Sequence, residues 1–216
     1  MERRFLPSET CMVQLESREG AKARTIVGYA ARFYDGTPAT EYRLGSRVIE
    51  RINPGAFDRV LKENQDVRGL FNHDPSMLLG RRSTGTMKLS VDSKGLRYEI
   101  TPPDTQVGRD VQTLIERGDL SGSSFSFNVG KDGQRWNRAG DAEVRTLTDI
   151  ASVADCGPVT SPAYDGSTAA LRSEDSAEAL AELAMIDAQR RADVDKATAE
   201  QQAVNVRADM VRMDLE

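Results

Sequence analysis

The chain has 216 residues, 38% of them hydrophobic and 29% charged, with a net charge of −5. That is enough apolar material for one well-buried domain plus an extension, and it excludes the membrane-spanning, collagen-like and wholly disordered classes. No apolar run approaches bilayer length and Met1-Glu2-Arg3-Arg4-Phe5-Leu6-Pro7 lacks the apolar stretch of a secretory signal, so the chain is expected to stay in the cytoplasm where it is made.

In chain order, residues 25–34 are rich in β-branched and aromatic side chains and read as a strand. Asn53 followed by Pro54 has the form of a helix N-cap with proline at the first position, and Phe57, Val60 and Leu61 then share a face, which predicts a helix over about residues 54–64. Met87–Val91 and Leu96–Ile100 flank Ser93-Lys94-Gly95 as a hairpin. Val107, Val111, Leu114 and Ile115 recur at helical spacing before Gly118, predicting a helix over about 107–117 that leads into Ser121-Gly122-Ser123-Ser124-Phe125-Ser126-Phe127. If 123–129 is a strand, Ser124, Ser126 and Asn128 face one way and Phe125, Phe127 and Val129 form the core face. A further apolar stretch spans 150–159, followed by a turn at 162–164. Many short strands with two helices indicate an α+β domain rich in β structure.

After Arg172 glycine and proline vanish. From Ser173 onward five Lys/Arg face eleven Asp/Glu, so this stretch carries −6 and residues 1–172 carry +1. The expected organisation is a domain over 1–172 and an acidic helical tail over 173–216. Positions 190, 194, 197, 201, 204, 208, 211 and 215 step by three and four but hold Arg, Val, Ala, Gln, Val, Ala, Val and Leu, a thin seam for a coiled coil or a partner-dependent helix. No basic stripe suits nucleic acid, so direct binding to DNA or RNA is not expected.

Chemistry points to His73, the single histidine, because imidazole is the side chain best suited to moving protons near neutral pH. Cys11 and Cys156 form neither a CxxC pair nor a disulfide framework and are expected as reduced thiols. With one histidine they do not complete a zinc set, and neither metal nor cofactor is expected.

Five groups of residues occur in order over roughly residues 28–172: Asn53-Pro54-Gly55-Ala56-Phe57; Gly69-Leu70-Phe71-Asn72-His73-Asp74 with Leu79-Gly80-Arg81; Gly95-Leu96-Arg97-Tyr98; Glu116-Arg117-Gly118-Asp119-Leu120 with the serine cluster; and Pro158-Val159-Thr160-Ser161-Pro162-Ala163-Tyr164. In that order and spacing the chain resembles the tailed-phage prohead proteases, serine proteases of capsid maturation related to the herpesvirus assemblin. The resemblance implies a small barrel-like sheet flanked by helices. It matches the Ser-Phe-x-Phe motif to Ser124–Phe127, making Ser124 the nucleophile with His73 as its base. Where the family usually has glycine this chain has Ser126, which therefore stays as a rival. The herpesvirus relatives use a second histidine as third member, which this chain lacks. The phage pattern instead matches an acidic residue to Asp155, a carboxylate inside an apolar segment and so in need of a partner. Asp149 and Glu143 are alternatives, as is a dyad. Asp74 reads as a turn residue before Pro75, and Arg81 and Arg82 are candidates to line the site or to sit on the surface. No G-x-S-x-G elbow locates an oxyanion hole.

The activity implied is a serine endopeptidase acting inside phage procapsids in the host cytoplasm. It would cleave scaffold or major capsid protein extensions, and its own chain at the 172–177 linker, with a homodimer among the options. The alternatives are a catalytically inactive capsid assembly or scaffolding protein and a metal-dependent nuclease built on Asn72-His73-Asp74.

Overall fold

The computed structural model describes residues 1–6, 8–17, 24–160 and 177–213. The turn expected at 162–164 and the linker expected at 172–177 up to residue 176 lie outside them. The first half of the chain forms β1 (Glu2–Leu6), α1 (Ser8–Cys11), β2 (Gln14–Glu16), β3 (Thr25–Arg32), β4 (Tyr42–Arg43), β5 (Val48–Ile52), α2 (Asp58–Lys62), β6 (Arg68–Leu70), β7 (Leu78–Arg81), β8 (Met87–Val91) and β9 (Gly95–Ile100). The second half forms α3 (Gln106–Arg117), β10 (Gly122–Val129), β11 (Gln134–Ala139), β12 (Ala142–Leu147), β13 (Ile150–Val159) and α4 (Ala177–Met213).

The strands make three sheets, in the orders β1-β10-β13-β6-β7, β11-β12-β5-β4 and β2-β3-β9-β8. This is an α+β fold rich in strands, as expected. Two compact units are present, Met1–Ser176 and Ala177–Glu216, and among the described residues no helix is long and apolar enough to cross a membrane.

Alternation places the core. On β10 the Phe125 and Phe127 rings stack at 4.7 Å between centroids, and Phe57 meets Phe125 edge-on at 5.9 Å. Together with Ile26, Leu79, Tyr98, Ile100 and Val111 these rings belong to one buried cluster. Burying each aliphatic or aromatic side chain of this kind contributes about 1.5–3 kcal/mol. The expected hairpin is β8–β9, with Asp92 Oδ1 accepting from the Lys94 and Gly95 amides in its turn.

The expected helix before the serines is α3. Thr105 caps its N-terminus by accepting from the Gly108 amide, and Gly118, at φ 81°, closes it in the left-handed conformation. The expectation for 54–64 needs correction. The helix is only Asp58–Lys62 and Asn53 does not cap it, because Gly55 adopts φ 90°, which turns the chain out of a right-handed helix. Arg82 crosses to the end of α2 and donates to the carbonyls of Val60, Gln65 and Leu61.

Sequence offered no hint of a buried ionic group that joins two sheets. Glu2 and Arg4 of β1 meet Glu50 of β5 and Arg145 of β12, all four almost without exposed surface. Arg4 donates to Glu50 Oε1 at 2.6 Å and Oε2 at 2.8 Å, and also to Glu2. Arg145 donates to Glu2 at 2.6 and 2.8 Å and to Glu50 at 2.6 Å. Two cations thus face two anions, which is the condition under which such groups tolerate desolvation. Burial alone would raise the Glu2 carboxyl. Hydrogen bonds from Arg145 and the charges of Arg4 and Arg145 outweigh it and hold the group below the usual carboxylate range.

Candidate active site

The site grows from the middle of the five-stranded sheet. β10 carries the serines and pairs antiparallel with β13, placing Ser126 opposite Asp155 and Ser124 opposite Gly157. β13 pairs in parallel with β6, placing Asp155 beside Arg68 and Cys156 beside Gly69. β6 then delivers the chain into the turn that holds His73. Strand alternation sorts the serines: Ser123 lies among core groups, its hydroxyl within hydrogen-bonding distance of the Tyr98 hydroxyl at 3.2 Å and the Gly157 carbonyl at 3.3 Å, while Ser124 and Ser126 lie on the opposite face.

The histidine turn has an uncommon backbone. Asn72 at φ 54° and His73 at φ 59° are consecutive left-handed residues, and the Asp74 amide closes the turn on the Phe71 carbonyl at 3.1 Å. Two positive φ angles in the central positions define a type I′ turn, which asparagine tolerates and histidine adopts at a cost. That cost is borne by contacts with the end of β13. The Asn72 amide donates to the Pro158 carbonyl at 3.1 Å, and Asn72 Oδ1 accepts from the Thr160 amide at 2.9 Å. Asp74 is a turn residue as expected, accepting from Ser76.

The imidazole lies between the two strands' side chains. Its Nε2 is 2.6 Å from Ser124 Oγ, and its Nδ1 is hydrogen-bonded to Asp155 Oδ1. Ser126 Oγ is 3.2 Å from Nδ1. The two rival serines therefore stand at different nitrogens, Ser124 at one and Ser126 with the carboxylate at the other. The ring is nearly closed off, its side chain 6% exposed and that of Asp155 10% exposed, while Ser124 has no exposed surface. A hydroxyl, an imidazole and a carboxylate in one hydrogen-bonded line can activate the hydroxyl, orient the ring and balance the imidazolium that forms.

The other candidates lie elsewhere in the network of contacts. Asp149 pairs with Arg59, and Glu143 lies 3.6 Å from Arg138 on the β11–β12 hairpin. Arg81 is bound to Asp66 at the surface and Arg82 to α2. Both cysteines are buried thiols outside any disulfide, and Cys11 Sγ donates to the Ser121 carbonyl at 2.9 Å. Burial pushes the Cys11 thiol up to about 11, and burial plus the Asp155 charge pushes Cys156 well above its ordinary value. Neither is poised as a thiolate at neutral pH.

Two elements of the site escaped the sequence reading. Asn72 had a signal, since asparagine is the residue most at ease with a left-handed turn, yet its tie is to Thr160, 88 positions away and just past the end of β13. The cover over Ser124 is β1, paired with β10 so that Phe5 lies opposite Ser124 and Arg3 opposite Ser126. The Arg4 carbonyl accepts from Ser124 Oγ at 2.9 Å, and the Phe5 ring meets His73 edge-on at 6.0 Å.

The family comparison agrees with the expected family. The profile of the caudovirus prohead serine proteases matches residues 12–182, well over half of the chain. No curated protein matches, and no solved structure matches. With the serines of β10, the His73 turn and the β13 carboxylate all inside the matched span, the chain belongs to the caudovirus prohead serine protease family.

Proposed function

We propose that this protein is a serine endopeptidase of phage capsid maturation in which Ser124 is the nucleophile, His73 its general base and acid, and Asp155 the group that orients the imidazole. The observation that carries the reading is the continuous line from Asp155 through His73 to Ser124 within the family-matched span. Ser124 Oγ attacks the scissile carbonyl carbon as its proton passes to His73 Nε2. The imidazolium then protonates the leaving amine, and water, activated by the same nitrogen, releases the acyl group. Asp155 holds the remaining proton on Nδ1 throughout.

The substrates are coat-protein and scaffold extensions within procapsids assembled in the host cytoplasm. The acidic tail serves as the segment that brings the enzyme into them. Incubating purified protein with its cognate coat protein tests the reading: wild type should cut it, and Ser124→Ala should abolish cutting while retaining the native circular dichroism spectrum. Cleavage that survives in Ser124→Ala would overturn the assignment.

The complete burial of Ser124 favours a second reading, an inactive assembly factor of the same fold. His73→Ala separates the two, because assembly would survive it and proteolysis would not.

A further inference from the structure

A nucleophile without exposed surface cannot meet a polypeptide, so the function of this site turns on what covers it. The cover is β1, which lies outside the family-matched residues 12–182. Without β1, the Gly122–Val129 strand would have a free edge directly beside Ser124, with unpaired backbone donors and acceptors of the kind that accept an extended peptide as an added strand.

We infer that this edge of β10 is the peptide-binding site, that its ligand class is an extended peptide added antiparallel to Ser123–Phe127, and that Glu2–Leu6 is an intramolecular occupant that substrate displaces. The inference rests on the function proposed above. The register describes the ligand: an aromatic residue opposite Ser124, where Phe5 meets the imidazole edge, and a basic residue opposite Ser126, where Arg3 stands.

Two features make the occupant both inhibitory and removable. Ser124 has one hydroxyl proton and two acceptors, His73 Nε2 at 2.6 Å and the Arg4 carbonyl at 2.9 Å. While β1 is seated, that carbonyl competes with the base for the proton the reaction must transfer. The ionic group beneath β1 is also balanced on each side. Glu2 and Arg4 leave together as one anion and one cation, and Glu50 stays paired with Arg145 at 2.6 Å. Departure of the strand therefore strands no buried charge on the body of the domain, the event that makes breaking such networks expensive.

The test uses a fluorophosphonate probe, which forms a covalent bond to an activated serine, with labelling of the full-length protein followed by mass spectrometry. Wild type should label slowly. The double variant Glu2→Gln/Arg4→Gln, which weakens the latch and leaves Glu50 and Arg145 in place, should label at Ser124 about tenfold faster or more, as expected when the competent state becomes more populated. A synthetic peptide of residues 1–6 added to that variant should restore slow labelling. Phe5→Ala, which leaves the buried charges intact, provides a second arm and should also accelerate labelling. Equal rates in wild type and both variants, all at Ser124, would overturn the occluding strand while leaving the nucleophile assignment standing. Absence of labelling at Ser124 in every form would overturn that assignment and this inference with it.

Discussion

At the scale of single residues, the division of labour proposed for the site follows from which imidazole nitrogen each group meets. Ser124 is at Nε2, whereas Ser126 shares Nδ1 with Asp155. An amide in place of the carboxylate favours the tautomer with its proton on Nε2, which cannot accept from Ser124. Asp155→Asn should therefore lower kcat by about 10⁴-fold with KM little changed, measured on a peptide substrate. Ser126→Ala should retain most of the activity. A kcat near wild type in Asp155→Asn would leave His73 and Ser124 as a dyad.

At the scale of elements, the site depends on the close approach of β13 to β6. A Cβ at Gly157 would lie 2.2 Å from the Leu70 carbonyl oxygen, at the point where β6 enters the His73 turn. Neither side of that contact can yield without shifting backbone. Gly157→Ala should displace the turn and cut kcat by about tenfold to a hundredfold, the scale expected when reacting groups move by about 1 Å, even in protein that is still folded by circular dichroism. Undiminished turnover would mean that the turn is held by Asn72 and Thr160 alone. The short α2 and the capped α3 show the same dependence on local backbone: Gly55 prevents one helix from starting where its proline suggests, and Gly118 ends the other where expected.

At the scale of the molecule, the Glu2–Arg4–Glu50–Arg145 group fixes β1 to the sheet behind it, and its energetics are set by completeness. Glu50→Ala leaves two buried guanidinium groups with one carboxylate between them and should cost about 3–5 kcal/mol of unfolding free energy in urea titration. The native Glu2 carboxyl is held below its unfolded value, so between the two the unfolded state binds more protons. The contribution of Glu2 is therefore complete above the ordinary carboxylate range and is lost as pH falls through the lowered native value. Glu2→Gln should flatten the acid side of the stability profile, and an unchanged slope would refute this account. The tail α4 carries few apolar residues at seam positions. Deleting 177–216 should leave cleavage of a short peptide intact while reducing incorporation into procapsids, measured by co-sedimentation. A truncated protein that is insoluble or inactive would show instead that the tail completes the fold.

Sequence alone determined the pieces whose signals are local. The β8–β9 hairpin, the helix before the serines with its end at Gly118, and the alternation of β10 are legible from periodicity and capping chemistry, and His73 stands out as the single histidine. Ser124 and Asp155 come from the order of short motifs that resemble the family, with Ser126, Asp149 and Glu143 left beside them. Tertiary structure decided how those pieces meet. The Ser124–His73 contact spans 51 positions, the His73–Asp155 contact 82 and the Ser124–Arg4 contact 120. Each depends on strand order and register rather than on any run of neighbouring residues. The same holds for the four buried charges, which read as ordinary surface residues until β1, β5 and β12 bring them together. Periodicity tells which face of a strand a side chain occupies, but only the pairing of strands far apart in the chain tells what that face meets.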